Sequence, residues 1–227
     1  MWSRLFIISI IVLALFCFCS DESQSLQENE EEFVIYSLGV AFGSYNPDLG
    51  MAGDFMFCDE LEQVFVPFGI ESNGKNQNLC FEYFVSRHAV IRSITHSRVT
   101  DIHRQLPTKD YKIKTSAAEG FTVIYNHITN HSLQEGDTLF PDDFVGNPGP
   151  WAHYCYHTKI QIMLPAPENY LAACPFLYLD PEKKSFYENK INQLMTDWEQ
   201  FKSDTTIYSQ DSLLYPGCYR NFAAAEP

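Results

Sequence analysis

The sequence is poor in basic charge. Lys and Arg together number 15 against 29 Asp plus Glu, giving a formal net charge of −14 over 227 residues. No basic stripe interrupts that imbalance, so nucleic acid, whose binding draws on clustered cationic side chains, is excluded as the expected partner. There is no CxxC pair and no His-rich spacing of the zinc-finger kind, which removes the common structural zinc modules. No long period recurs along the chain, which removes repeat architectures.

What the chain does have is 45% hydrophobic and 15% aromatic content, enough at this length for one good core. The aromatic and β-branched residues fall in short runs, which favours a β-rich domain over a helical bundle. Residues 1–19, MWSRLFIISIIVLALFCFC, place one early Arg4 before an apolar run and the small residues Cys17 and Cys19. That is the layout of a secretory signal peptide, and the run is short for a full membrane span. The sequence Cys19-Ser20-Asp21-Glu22 also resembles the lipidated start of a bacterial lipoprotein, so lipid anchoring and plain secretion both fit. An exported chain sits where disulfides persist. Five cysteines follow the leader: Cys58, Cys80, Cys155, Cys174 and Cys218. Five is odd, so one at least stays outside any intrachain pair. Cys174 and Cys218 flank a C-terminal helix and are expected to pair.

Residues 20–32, SDESQSLQENEEE, carry six acids and one aliphatic side chain. Such a segment buries too little surface to offset its ordering entropy and reads as a spacer. Residues 33–77 form a β lead-in: FVIYSLGVAF predicts a strand, SYNPDLGMAGDF a turn-rich stretch, and VFVPFGI a strand with Pro67 at an edge. From residue 78 to 165 strands follow in quick succession: LCFEYFVS, HAVIRSITHSRVTDI, DYKIKTS, FTVIYNHI and CYHTKIQIML. Their period-2 patterning and tight turns predict an antiparallel sheet sandwich or open barrel. Residues 166–227 are a C-terminal extension. In it Asp180-Pro181 reads as an N-cap followed by proline at the first helical position. Tyr187, Ile191, Leu194, Met195, Trp198 and Phe201 then recur at helical spacing, predicting an amphipathic helix over about residues 181–202 that packs on the sheet.

The two histidine-bearing strands carry the functional signal. Gly120-Phe-Thr-Val-Ile-Tyr-Asn-His127 resembles the Gly-Tyr-x-Thr-x-Tyr-x-His strand of the lysostaphin/LytM-type (duplicated hybrid motif) zinc metallopeptidases, which cut peptidoglycan cross-bridges. QEGDTL is similar to their Val-x-x-Gly-Asp-x-Val turn, FVGNPG to their Ile-Gly-x-x-Gly-Asn-Thr-Gly segment, and CYHTKIQI falls where their His-x-His-Phe-Glu-Ile strand stands. HAVIRSITHSRVTDI resembles the strand pair upstream of these, so the resemblance runs from Asn78 to Leu164.

The resemblance implies a mainly β, LytM-like fold with a C-terminal helix. It also implies a zinc site of two histidines and an aspartate, with two further histidines assisting a metal-bound water. Carried onto this chain, the ligand histidine and aspartate fall on Asn78 and Glu82. The last strand admits two registers, both of which keep Cys155, His157 and Lys159 on one face. In one, Cys155 stands at the first, assisting histidine and His157 at the second, metal-binding one; in the other, His157 is first and Lys159 stands where the ligand belongs. The implied catalytic set is His127, Cys155 and His157, and the implied metal set Asn78, Glu82 and His157, with zinc as the cofactor in doubt. Asn78, His153 and His88 are the candidates for a third ligand. A disulfide between Cys80 and Cys155 across the cleft is an alternative to a metal. The implied role is that of an exported, degenerate metallopeptidase fold that binds peptidoglycan or regulates cell-wall enzymes. The alternative is an active zinc endopeptidase.

Overall fold

The structure, a computed structural model, describes residues 32–72, 76–151, 155–165 and 171–224. The expected signal peptide, the lipid-anchor position Cys19, all but the last residue of the acidic spacer, and His153 lie outside the described residues. Within them no helix is long and apolar enough to cross a membrane.

The lead-in gives six short strands: β1 (Phe42–Asn46), β2 (Met51–Gly53), β3 (Phe55–Met56), β4 (Phe65–Val66), β5 (Glu71–Ser72) and β6 (Asn76–Gln77). The middle of the chain gives β7 (Phe81–Val85), β8 (Ile91–Arg92), β9 (Ser97–Arg104), β10 (Tyr111–Ala117) and β11 (Thr122–Thr129). It continues with β12 (Thr138–Leu139), β13 (Phe144–Pro150) and β14 (Tyr156–Met163). The extension adds β15 (Leu171–Ala173), the helix α1 (Pro181–Lys202) and β16 (Phe222–Ala224). All the strand pairings are antiparallel, and fourteen strands join one sheet whose main path is β1-β2-β3-β7-β14-β13-β11-β10-β9-β12. The sheet does not close on itself. The protein is therefore mainly antiparallel β with one C-terminal helix.

Two sequence expectations are corrected here. FVIYSLGVAF is not a strand: its backbone makes a single bridge, Ile35 to Leu179, and the first strand begins at Phe42. The reason is Gly39, held at φ +79°, where a Cβ would come within 2.3 Å of Ile160 Cδ1. The chain turns there against the sheet instead of extending along it. Conversely, SYNPDLGMAGDF is not merely turn: the bend at Asn46–Gly50 closes a hairpin of β1 on β2, and β3 carries it onto β7. HAVIRSITHSRVTDI, likened to a strand pair, gives the two strands β8 and β9.

The helix is as the spacing predicts. Asp180 caps it, its carboxylate accepting from Glu182 N–H at 2.9 Å, and Ser203 in the left-handed conformation ends it. Tyr187, Ile191, Leu194, Met195 and Trp198 form its buried face. Each contributes about 1.5–3 kcal/mol by leaving water. The face packs against the lead-in: Trp198 Nε1–H donates to Glu62 O at 3.1 Å, and Asp197 accepts from Tyr45 N–H at 3.1 Å. The Cys174–Cys218 disulfide is present, closing the extension across 44 residues. Lead-in and extension thus brace the central strands, and β7, β11, β13 and β14 are fixed tightly enough to place side chains.

Candidate functional site

Strand β11 changes partner along its length. Thr122 to Asn126 pair with β14, ending at Asn126 opposite Lys159, whereas Ile128 and Thr129 pair with β13. His127 stands at the changeover with φ 59°, a left-handed conformation uncommon for a residue with a side chain. The twist re-aims its imidazole over the next strand but one. Strand β13 enters the gap through the glycines of GNPG. A Cβ on Gly146 would sit 2.4 Å from Ile128 Cγ2 and 2.6 Å from Thr129 O; one on Gly149 would sit 2.7 Å from Asp110 Oδ2. These two close approaches are what that motif's glycines provide.

On β14, His157 pairs across to Gly149 on one side and to Phe84 of β7 on the other, and Lys159 lies opposite Glu82. The rings of His127 and His157 stack with centroids 3.8 Å apart and planes 27° apart. Trp151, half exposed, tilts against His157 at 4.5 Å, and Phe84 stacks on it at 6.0 Å. Each imidazole has its own carboxylate. His127 Nδ1 is 2.7 Å from Asp110 Oδ2, and Thr108 Oγ1–H donates to the other oxygen, Oδ1, at 2.6 Å. His157 Nδ1 is 3.2 Å from Glu82 Oε1, and the Lys159 ammonium lies 3.1 Å from Glu82 Oε2. Asp110 and His157 are fully buried, and Glu82 nearly so.

Charge follows from this geometry. Burial alone would raise the Glu82 carboxyl, but the hydrogen bond from His157 and the Lys159 ammonium outweigh it and hold the group below its usual range. His127 is pushed down, first by burial and then by His157 beside it, against the opposing pull of Asp110. At neutral pH the cleft therefore holds an ionised Glu82 paired with Lys159, and a neutral His127.

Of the five residues expected at the site, the structure brings together Glu82, His127 and His157. Asn78 is occupied elsewhere. Its amide lies within 2.7–3.2 Å of the carbonyls of Val66, Pro67 and Cys80, and its Oδ1 accepts from Cys80 Sγ–H at 3.1 Å. Cys155 turns to Cys58, sulfur to sulfur at 2.8 Å, and Cys80 to Asn78, which corrects the alternative of a Cys80–Cys155 bridge. His88 is exposed, bonded to Arg87 at 2.8 Å. Sequence reasoning missed Asp110. The one cue is the Thr108-x-Asp110 turn at the entry to β10, which says nothing of a histidine 17 residues on.

Asp110, His127 and His157 each offer one atom, all within 4.8 Å of one another, a group that could hold a metal ion. His157 Nε2 adds a buried nitrogen with no hydrogen-bond partner. Two features oppose zinc in this arrangement. A metal takes the in-plane lone pair of each imidazole, and rings stacked face to face aim theirs side by side rather than at one point. The Lys159 ammonium also pairs with Glu82, the carboxylate on His157, at 3.1 Å, so a positive charge already occupies that side of the cleft. As placed, the residues do not fit zinc.

No protein-family model matches the sequence, and no curated protein matches it. Solved structures resemble it in part. Lysostaphin matches with a TM-score of 0.43 at 14% identity over 64% of this chain, which spans only 53% of lysostaphin's own length. The catalytic domain of the prophage-encoded M23 protein EnpA of Enterococcus faecalis matches at 0.41 and 13%, over 54% of this chain and 94% of that one. LytU matches at 0.40 and 19%, over 61% and 90%. At these identities and TM-scores the likeness assigns neither family nor function, and the meaning of the cleft rests on its own residues.

Proposed function

We propose that this chain is an exported, LytM-like protein that meets peptidoglycan as a binding or regulatory module, with an internal ammonium standing where the resemblance puts zinc. The observation that carries the reading is the 3.1 Å contact of Lys159 with Glu82 inside the cleft. Cys155 lies against Cys58, so the residue beside His127 is His157. That supports the register in which His157 stands at the first histidine of the His-x-His strand and Lys159 at the ligand position. The Lys159 ammonium then neutralises a carboxylate that a metal would otherwise bind, and no open coordination position remains to make a hydroxide. The aromatic wall of Trp151 and Phe84 stays in place for contact with a ligand.

The test is incubation of the purified protein with cell-wall sacculi in zinc-containing buffer, together with metal analysis of the same preparation. The expected result is sedimentation with sacculi, no release of soluble peptide fragments, and zinc well below one equivalent. Chelator-sensitive release of fragments by a protein carrying stoichiometric zinc would overturn the non-catalytic reading. Failure to sediment with sacculi would overturn the peptidoglycan-facing one.

One observation favours the second reading, an active zinc endopeptidase: the unpartnered His157 Nε2 lies in a group with Asp110 and His127. On that reading His157→Ala abolishes fragment release and Lys159→Ala preserves it. Absence of release from both variants and from the parent protein removes it.

A further inference from the structure

The odd cysteine count leaves three thiols beyond the Cys174–Cys218 disulfide: Cys58, Cys80 and Cys155. They are not equivalent. Cys80 is buried, bonded to Asn78 Oδ1, and burial pushes its thiol up to about 12. Cys58 and Cys155 lie 97 residues apart in sequence, yet their sulfurs are 2.8 Å from each other. Two sulfurs that close are well inside ordinary non-bonded contact and less than 1 Å from the bonding distance of about 2.05 Å.

The sheet register explains the meeting. Val85, the last residue of β7, pairs with Phe55 of β3 on one side and with Tyr156 of β14 on the other. Cys58 lies three residues beyond Phe55 and Cys155 one before Tyr156, so both leave the sheet beside the same pairing position. A chain that already carries one disulfide folds where thiols are oxidised.

We propose that Cys58 and Cys155 form a second native disulfide, which pins the start of β14 to the lead-in and leaves Cys80 as the single buried thiol. In this step one sulfur–sulfur bond forms from two thiols. Two electrons and two protons pass to a small-molecule or enzyme disulfide, which is reduced to two thiols. The bond fixes more than the chain path. Trp151 N–H donates to Cys155 O at 2.8 Å, so the cross-link holds the backbone that sets the indole against His157, two residues on. The loops closed by Cys58–Cys155 and Cys174–Cys218 do not overlap, and their constraints on the unfolded chain are separate. In the reduced, folded protein the Cys58 thiol is pushed up to about 12, by burial first and then by Cys155. Thiolate is therefore scarce there, and the bond forms faster during folding than after it.

The test is peptide mapping of the full chain, produced in an oxidising compartment, denatured in excess alkylating agent and digested without reductant. The expected products are a Cys58–Cys155 peptide and a Cys174–Cys218 peptide, with Cys80 alkylated. Alkylated Cys58 and Cys155 beside an intact Cys174–Cys218 peptide would overturn the proposal, as would a Cys80–Cys155 peptide. Refolding of reduced protein with oxidised glutathione should regenerate the same two bonds, and a failure to regenerate Cys58–Cys155 counts against the proposal equally. In the oxidised state, Cys58→Ser should lower Tm by roughly 5–10 °C. An unchanged Tm would show that no bond had been lost.

Discussion

Two acid–imidazole pairs face each other across the stacked rings, and they bury their carboxylates by different means. Asp110 gives one oxygen to the His127 imidazole and the other to the Thr108 hydroxyl. Glu82 gives one oxygen to His157 and the other to the Lys159 ammonium, a cation carried by the chain itself. A buried carboxylate needs compensation wherever it lies. On the Glu82 side, where the resemblance places a metal, the compensating charge belongs to the chain's own Lys159. On the reading proposed above, the cleft keeps the charge balance of a metal site without the open position that makes such a site reactive.

The sharpest way to break that contrast is to replace the internal cation by an imidazole. Lys159→His, on the proposed register, leaves Glu82 facing two imidazoles of the same strand face, at positions 157 and 159. Zinc content should rise from far below stoichiometric towards one equivalent, the largest effect expected here. Equilibrium dialysis against zinc followed by metal analysis measures it. No gain in the folded variant would show that the register places Lys159 wrongly.

The next effect is on stability. Lys159→Met strands Glu82 with His157 alone and should cost about 2–3 kcal/mol, below the usual range for breaking a buried pair because the Lys159 side chain is 30% exposed. Asp110→Asn keeps a polar group of the same shape beside Thr108 and His127 and should cost less, about 1–2 kcal/mol. Urea titrations of the two variants and the parent give the comparison. Equal losses would mean that the two carboxylates are buried in the same way after all.

What could be foreseen from the sequence divides along the same line. The helix was legible to the residue, because Asp180, Pro181 and the spacing of Tyr187 through Trp198 are local signals that packing did not override. The Cys174–Cys218 bridge was legible as the pair flanking that helix. The strands β7, β10, β11 and β14 were legible from alternation, and His127 and His157 from the motifs around them. Lys159 could be placed on the face of His157, but not on Glu82, because cross-strand register is a non-local property. Asp110 was invisible: a fold that brings β10 beside the bend at His127, and a glycine at 149 that lets it approach, are both needed to give it a role. The hairpin of β1 on β2 was missed because strands of five and three residues are too short to show a period.

The smallest effect, and the one that separates the two pairs most directly, is on acid stability. Burial depresses His127, which faces Asp110, His157 and Lys159, below its unfolded value of about 6.5. The folded state then binds fewer protons than the unfolded one as pH falls past that value, so stability drops. Glu82 is also depressed. Its contribution is present above the unfolded carboxyl value of about 4.3 and is lost as pH falls through the lower folded one. Both groups destabilise the fold in acid, but in different windows. His127→Gln should flatten the loss that sets in below about pH 6.5 and leave the later one. Lys159→Met, which removes one source of the Glu82 depression, should flatten the loss below about pH 4.3 and leave the earlier one. Urea midpoints of the parent and both variants between about pH 8 and pH 3.5 give the two differences directly. A variant whose difference from the parent falls in the other's window would show that His127 and Glu82 are coupled through the stacked rings and act as one group.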